Sequence, residues 1–161
     1  MQYNQVKSAQ VGAFLQFLRP TTGILVGLIV DRFKITFWLL LSLLLCVVGG
    51  FLFAAGIIAP STTAIFFISV VIVAVGVYAA RALYFGVMRE GNIPLVLTGT
   101  AVGLISLVGY TPDIFVGPAC GYFLDTYPGE EGHQYVFWML SAFSALGVIA
   151  AWVYYRKYSK H

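Results

Sequence analysis

The chain has 161 residues, of which 60% are hydrophobic and only 9% are charged. A soluble domain averages about 25% charged residues, so a soluble protein of this composition would have too little polar surface to cover itself. The charges fall mainly in short clusters that separate long apolar runs, and the net charge of +3 therefore indicates membrane orientation rather than nucleic-acid binding. The composition predicts an integral membrane protein.

Five apolar runs follow one another along the chain, and each is long enough to cross a bilayer, which needs roughly 20 mostly apolar residues. The predicted spans are approximately residues 9–30, 35–58, 64–88, 94–124 and 135–155. Such uninterrupted runs differ from the alternating pattern of β-barrel strands, and backbone groups in lipid must pair internally. The sequence therefore predicts an all-α membrane protein with five transmembrane helices, forming a single transmembrane domain over residues 1–161.

Charged side chains interrupt three of these spans. The first contains Arg19, the third contains Arg81, and the fourth contains Asp113, whereas the second and fifth carry no charge. At about 1.5 Å per residue the fourth run is longer than the hydrocarbon core of a bilayer. It is therefore expected to be tilted, kinked or partly interfacial.

Glycines spaced four residues apart occur in the first and fourth spans. The pairs are Gly23 and Gly27, Gly99 and Gly103, and Gly117 and Gly121. This spacing lets two membrane helices approach closely. Glycine is also simply common in such helices, so both interpretations remain open for each pair.

The basic residues of the loops lie mostly on one side of the predicted bundle. That side carries Arg32, Lys34, Arg89, Arg156, Lys157 and Lys160. The opposite side has Lys7, and its last loop is acidic. The positive-inside rule predicts that the first side is cytoplasmic, with the N-terminus outside and the C-terminus inside. An outside N-terminus with no preceding span is unusual for a complete protein, so a fragment is expected.

The end of the first span reads Gly27-Leu-Ile-Val-Asp31-Arg32 and resembles the loop signature of the major facilitator superfamily. The segments 81–91, 98–103 and 109–115 are similar to the late helices of bacterial facilitators near the organophosphate and hexuronate porters. The resemblance implies that the five spans correspond to helices 8 to 12, the C-terminal portion of that fold. It also implies a missing partner, an N-terminal transporter half that is separately encoded or lost.

Arg19 is the first candidate for a functional side chain. It lies twelve residues before Asp31, about 18 Å along the helix and near the middle of a ~30 Å hydrocarbon core. An arginine at the midplane costs at least about 2.5 kcal/mol on insertion scales, so a carboxylate, a water-filled cavity or an anionic substrate should offset it. Gln16, Thr22 and Gly23 are three or four residues away and form a polar stripe beside it. Substrate binding and a structural ion pair are the two interpretations.

Arg81 is the second candidate, and it admits two interpretations as well. It is eight residues from Arg89, so its long side chain could extend to the cytoplasmic surface. Alternatively, Tyr78 and Tyr84 flank it at helical spacing and could form an aromatic wall with it at a substrate site or gate.

Asp113 lies in the outward part of the fourth span, with Tyr110 about one turn away. It could carry a coupling proton, pair with Arg19 or Arg81, or cap a kinked helix. These three interpretations remain open.

The sequence contains no arrangement of side chains that favours catalysis. The intramembrane charges do not form a nucleophile–base pair or a metal-ligand set, so no enzyme activity, cofactor or metal is expected.

Two arginines on candidate cavity helices favour part of a secondary active transporter that moves a small organic anion by alternating access. The alternative is a non-transporting membrane scaffold or the truncated remnant of a disrupted transporter gene. The expected location is the bacterial inner membrane; substrate, coupling ion and oligomeric state remain open.

Overall fold

The computed structural model describes residues 5–30, 34–57 and 63–158. Every regular element in these ranges is helical, in the order α1 (Gln5–Val30), α2 (Ile35–Ala54), α3 (Thr63–Leu83), α4 (Val87–Glu90), α5 (Leu95–Thr126) and α6 (Glu130–Tyr158). Five of these helices, all except α4, are long and apolar enough to cross a membrane. The prediction of an all-helical membrane protein with five spans is confirmed.

The helices differ from the predicted spans at several ends, and α1, for example, begins at Gln5 rather than at residue 9. The third span is divided, because α3 ends at Leu83 and the short helix α4 follows a turn. The second helix ends at Ala54 rather than at residue 58, just before a turn at Gly56, which has a φ of +68°. The last helix is longer than predicted, with acidic residues in its first turn and basic residues in its last. Both placements complement the helix dipole and favour those extra turns.

Helix α2 lies at the centre of the bundle and packs mainly against α6 and α3, while α1 packs on α3 and α5 on α6. Val30, Ile35 and Leu83 form a buried apolar cluster that joins α1, α2 and α3. Between α2 and α6, the rings of Phe53 and Phe137 stack with their centroids 4.6 Å apart. Burial of apolar side chains against one another thus holds α2 between its two neighbours.

Close helix approach occurs at glycines that the four-residue spacing did not indicate. A Cβ atom added to Gly76 on α3 would lie 3.0 Å from the Sγ of Cys46 and 3.2 Å from the backbone oxygen of Ser42, both on α2. Around the six spaced glycines no such neighbour lies within 4 Å; these are Gly23, Gly27, Gly99, Gly103, Gly117 and Gly121. Their interpretation as packing points is therefore wrong for contacts among the described helices, because no atom of another described helix lies within contact distance of them.

We expect Gly76→Leu to destabilise the fold by about 1–3 kcal/mol, the usual cost of overpacking a tight contact. The added side chain must displace α2, whose backbone carbonyl faces it. The matched control is Gly103→Leu, which gains the same helix propensity but enters open space. Thermal unfolding in detergent should show a lower Tm only for Gly76→Leu; equal Tm values for the two variants would contradict the packing described here.

The outer helices α1 and α5 leave most of their surface uncovered. Helix α5 has no buried residue along its whole length, and on α1 the buried residues among those whose side chains are described are Thr22 and Val30. These two helices carry Arg19 and Asp113, and α3 carries Arg81, so the least covered part of the bundle contains the candidate charges.

Candidate functional site

A cavity of about 340 Å³ is lined by side chains of α1, of α3 and the turn that follows it, and of α5. Its wall contains two arginines and several aromatic rings. It brings together five of the residues singled out from the sequence: Arg19, Tyr78, Arg81, Tyr84 and Tyr110. These residues are up to 91 positions apart in the chain (19 to 110), so only the packing of three helices makes them neighbours.

Arg81 and Asp113 form an ion pair across α3 and α5, with 3.1 Å between Nη2 and Oδ2. The guanidinium carbon of Arg81 also lies 5.9 Å from the centre of the Tyr110 ring. Tyr110 and Asp113 are one helical turn apart on α5 and so share a face. The arrangement gives Asp113 a partner in Arg81 rather than in Arg19. The side chain of Arg81 is 44% exposed and that of Asp113 is 62% exposed.

Arg19 lies on the cavity wall beside Pro20 and Gly23. Within the described ranges it forms no ion pair, and its side chain is exposed. Pro20 is inside α1 and has no backbone N–H, so the carbonyl of Gln16 loses its normal helical donor. Arg19 therefore presents its guanidinium next to a locally weakened stretch of helix.

Two predicted positions, Gln16 and Gly27, stand apart from the cavity, and two others lie outside the described residues. The side chain of Gln16 is exposed and is not part of the wall. Gly27 has open space around it, and Asp31 and Arg32 lie outside the described residues. Of the polar stripe proposed on α1, Gly23 lines the cavity and Thr22 is buried, with 5% of its surface exposed.

Sequence reasoning missed a carboxylate that joins distant helix ends. The backbone N–H of Thr36 donates to Oε1 of Glu90 at 3.1 Å, and the hydroxyl of the same threonine donates to Oε2. Thr36 is completely buried and is the second residue of α2, where free N–H groups and the helix dipole favour a negative charge. Because Glu90 is 54 positions from Thr36, no local sequence pattern connects the two residues. The only sequence signal was a threonine in the first turn of a predicted helix, a position where a helix is often capped.

The two ends of the bundle differ in charge. At one end, Lys34 and the last turn of α6 bring basic side chains over aromatic rings: Lys34 on Tyr155 at 6.0 Å, and Arg156 on Trp152 at 4.3 Å. At the other end, α6 begins with the acidic pair Glu130 and Glu131. Basic groups with aromatic rings are typical of a membrane interface.

Comparison with known proteins finds two relatives in the Escherichia coli inner membrane. Inner membrane protein YqcE is 35% identical over 77 residues, which is 48% of this chain and 18% of the relative. Inner membrane protein YihN is 32% identical over 84 residues, 52% of this chain and 20% of the relative. The chain thus matches about a fifth of the length of these relatives. No solved structure matches it.

The chain is an integral inner membrane protein. Its five apolar helices and both relatives agree on this location. The orientation of its termini stays a prediction.

The comparisons contradict the assignment to the major facilitator superfamily. No protein-family profile matches the chain, and the relatives are named only as inner membrane proteins. The correspondence of the spans to helices 8 to 12 falls with that assignment. The signature was a short pattern of Gly27, Asp31 and Arg32 at a helix end, and charged residues gather at any membrane boundary because their side chains extend to the interface.

Proposed function

We propose that this chain forms part of a secondary active membrane transporter that moves a small organic anion by alternating access. The observation that supports this best is the presence of Arg19 and Arg81 on the wall of one cavity between apolar helices. A guanidinium binds a carboxylate or phosphate through paired N–H groups. Ionisable residues within membrane spans generally mark substrate or ion pathways.

The charges around the cavity favour an anionic ligand over a purely structural ion pair. Asp113 offsets the charge of Arg81, whereas Arg19 has no such partner in the described part of the chain. Two cations and one carboxylate leave one positive charge at the cavity. An anion bound there would offset the cost of holding Arg19 within the span.

The proposal includes further membrane helices as partners of α1 and α5. Those helices surround the cavity, yet α5 has no buried residue. The chain matches only about a fifth of each relative, and we propose that further membrane helices supply the opposite wall. Alternating access requires two such parts that rock about a central site.

The purified chain alone in liposomes is expected to show no saturable uptake of organic anions. Without the opposite wall, the uncovered faces of α1 and α5 meet lipid and the cavity cannot alternate between the two sides. Uptake is measured with a panel of labelled organic anions under an imposed ion gradient, with empty liposomes as the control. The assembled protein, meaning this chain with its partner helices, should take up at least one of them. Saturable uptake by the chain alone would contradict the need for a partner.

Orientation is part of the proposal, because the basic end of the bundle should face the cytoplasm. Reporter fusions at Gly129 and after His161 are expected to give opposite signals, with Gly129 outside and the C-terminal fusion inside. These sites flank α6, a single 29-residue helix. Equal signals at both sites would overturn the five-span topology, and opposite signals with the reverse assignment would overturn the orientation.

A non-transporting scaffold is the second candidate. It draws support from the spaced glycines of α1 and α5, which face open space and suit close association with another helix. A scaffold does not need the charge of Arg19. Arg19→Gln should then leave assembly unchanged, with no anion uptake to lose.

A further inference from the structure

A second and larger cavity of about 630 Å³ adjoins the cavity that Arg19 and Arg81 line. Its wall includes Arg81 and Tyr84, which also line the first cavity. The two spaces therefore meet at these side chains. We call the larger one the apolar groove, since most of its wall consists of aliphatic side chains from α2, α3, α5 and α6, among them Leu39, Leu43, Val77, Ile105 and Leu140.

The groove is open because small residues occupy key positions on its wall. Ala80, Gly109, Gly147 and Ala150 all line it and contribute little volume. A Cβ atom added to Gly109 would lie 3.5 Å from the ring of Tyr84, so a larger residue there would crowd the junction between the two cavities. The groove extends from this junction to Thr36 and the basic end of the bundle.

We propose that the two cavities together bind an amphipathic monocarboxylate, with its carboxylate at Arg19 and Arg81 and its apolar body in the groove. This rests on the proposed function and specifies its substrate class. A single negative charge matches the one positive charge left by two arginines and Asp113. Arg81 lies where both spaces meet, so an anion held there has an apolar wall directly beside it. Burial of the ligand's hydrocarbon in the groove then adds to affinity.

The test measures binding of straight-chain monocarboxylates from acetate to octanoate to the full 161-residue chain in nanodiscs of zwitterionic lipid. Affinity should rise about two- to fourfold with each added methylene, up to the fourfold that full burial of a CH₂ at about 0.8 kcal/mol allows. Empty nanodiscs measure partition of each acid into lipid, and this background is subtracted. The remaining, specific signal should disappear in Arg81→Gln for every acid in the series.

Two neighbouring positions on α5 provide a matched pair of variants. Ile105 lines the groove, whereas Leu104 does not and has 61% of its surface exposed. Ile105→Trp should fill the groove, so that affinity no longer rises with the number of carbons in the acid. Acetate should still bind. Leu104→Trp should behave like the wild type. Helix α5 has no buried residue, so both variants should fold.

The possible outcomes separate this inference from the proposed function. Arg81-dependent binding that is equal for acetate and octanoate overturns the amphipathic ligand and leaves the anion site standing. If affinity still rises with the length of the acid in Arg81→Gln, the groove takes a lipid acyl chain. That result also overturns the inference. No specific binding of any acid overturns the anion site itself.

Discussion

Arg19→Lys is expected to lower anion uptake by the assembled protein at least about tenfold, a loss of roughly 1.4 kcal/mol of binding free energy. Lysine keeps the charge but loses the planar group that holds a carboxylate through two parallel N–H groups. Arg19 lines the cavity and has no ion-pair partner in the described ranges, so this substitution should act on the ligand rather than on an internal contact. The measurement is initial uptake of a labelled organic anion, normalised to the amount of protein in the membrane.

Two conservative substitutions complete this experiment. Arg81→Lys should be milder, because Arg81 contacts Asp113 through one nitrogen and lysine can keep that charge pairing. Arg156→Lys, at the basic end of α6 and over Trp152, should leave uptake unchanged. Full activity of Arg19→Lys would remove Arg19 from the binding site and would favour the structural interpretation.

Glu90→Ala is expected to destabilise the protein by about 2–4 kcal/mol, since it removes a charged acceptor and leaves the N–H and hydroxyl of buried Thr36 without their partner. The loss also takes a negative charge from the N-terminus of α2, where the helix dipole favours it. Helix α2 packs against both α3 and α6, so the effect should reach the whole bundle. Thermal or denaturant unfolding in detergent measures it.

The chemistry of the contact is tested by comparison with two further variants. Glu90→Gln keeps an acceptor oxygen but loses the charge, and its Tm should fall between those of the wild type and Glu90→Ala. Glu131→Ala removes an exposed acid from the first turn of α6 and should cost at most a few tenths of a kcal/mol, consistent with its exposed position at a helix end. If Glu90→Ala unfolds at the same temperature as Glu131→Ala, the contact with Thr36 contributes no measurable stability.

The candidate site was only partly accessible to sequence reasoning. Arg19, Arg81 and Asp113 were identifiable because a charge inside a long apolar run is costly and therefore conspicuous. Their arrangement was not: three interpretations of Asp113 remained open, and only the packing of α3 and α5 brought it to Arg81 rather than to Arg19. The apolar groove had no sequence signal at all, since its wall is built from common aliphatic and small residues on several helices.

The sequence by itself determined that this protein crosses the membrane five times as helices, because bilayer thickness sets the length of a span and lipid leaves no other way to pair the backbone. Only the tertiary structure decided which side of each helix meets a neighbour. These helices are apolar on nearly all sides, so no amphipathic stripe marks their rotation. That is why the contact between Thr36 and Glu90 and the close approach at Gly76 became visible only in the packed bundle. Both depend on shape and distance between segments far apart in the chain.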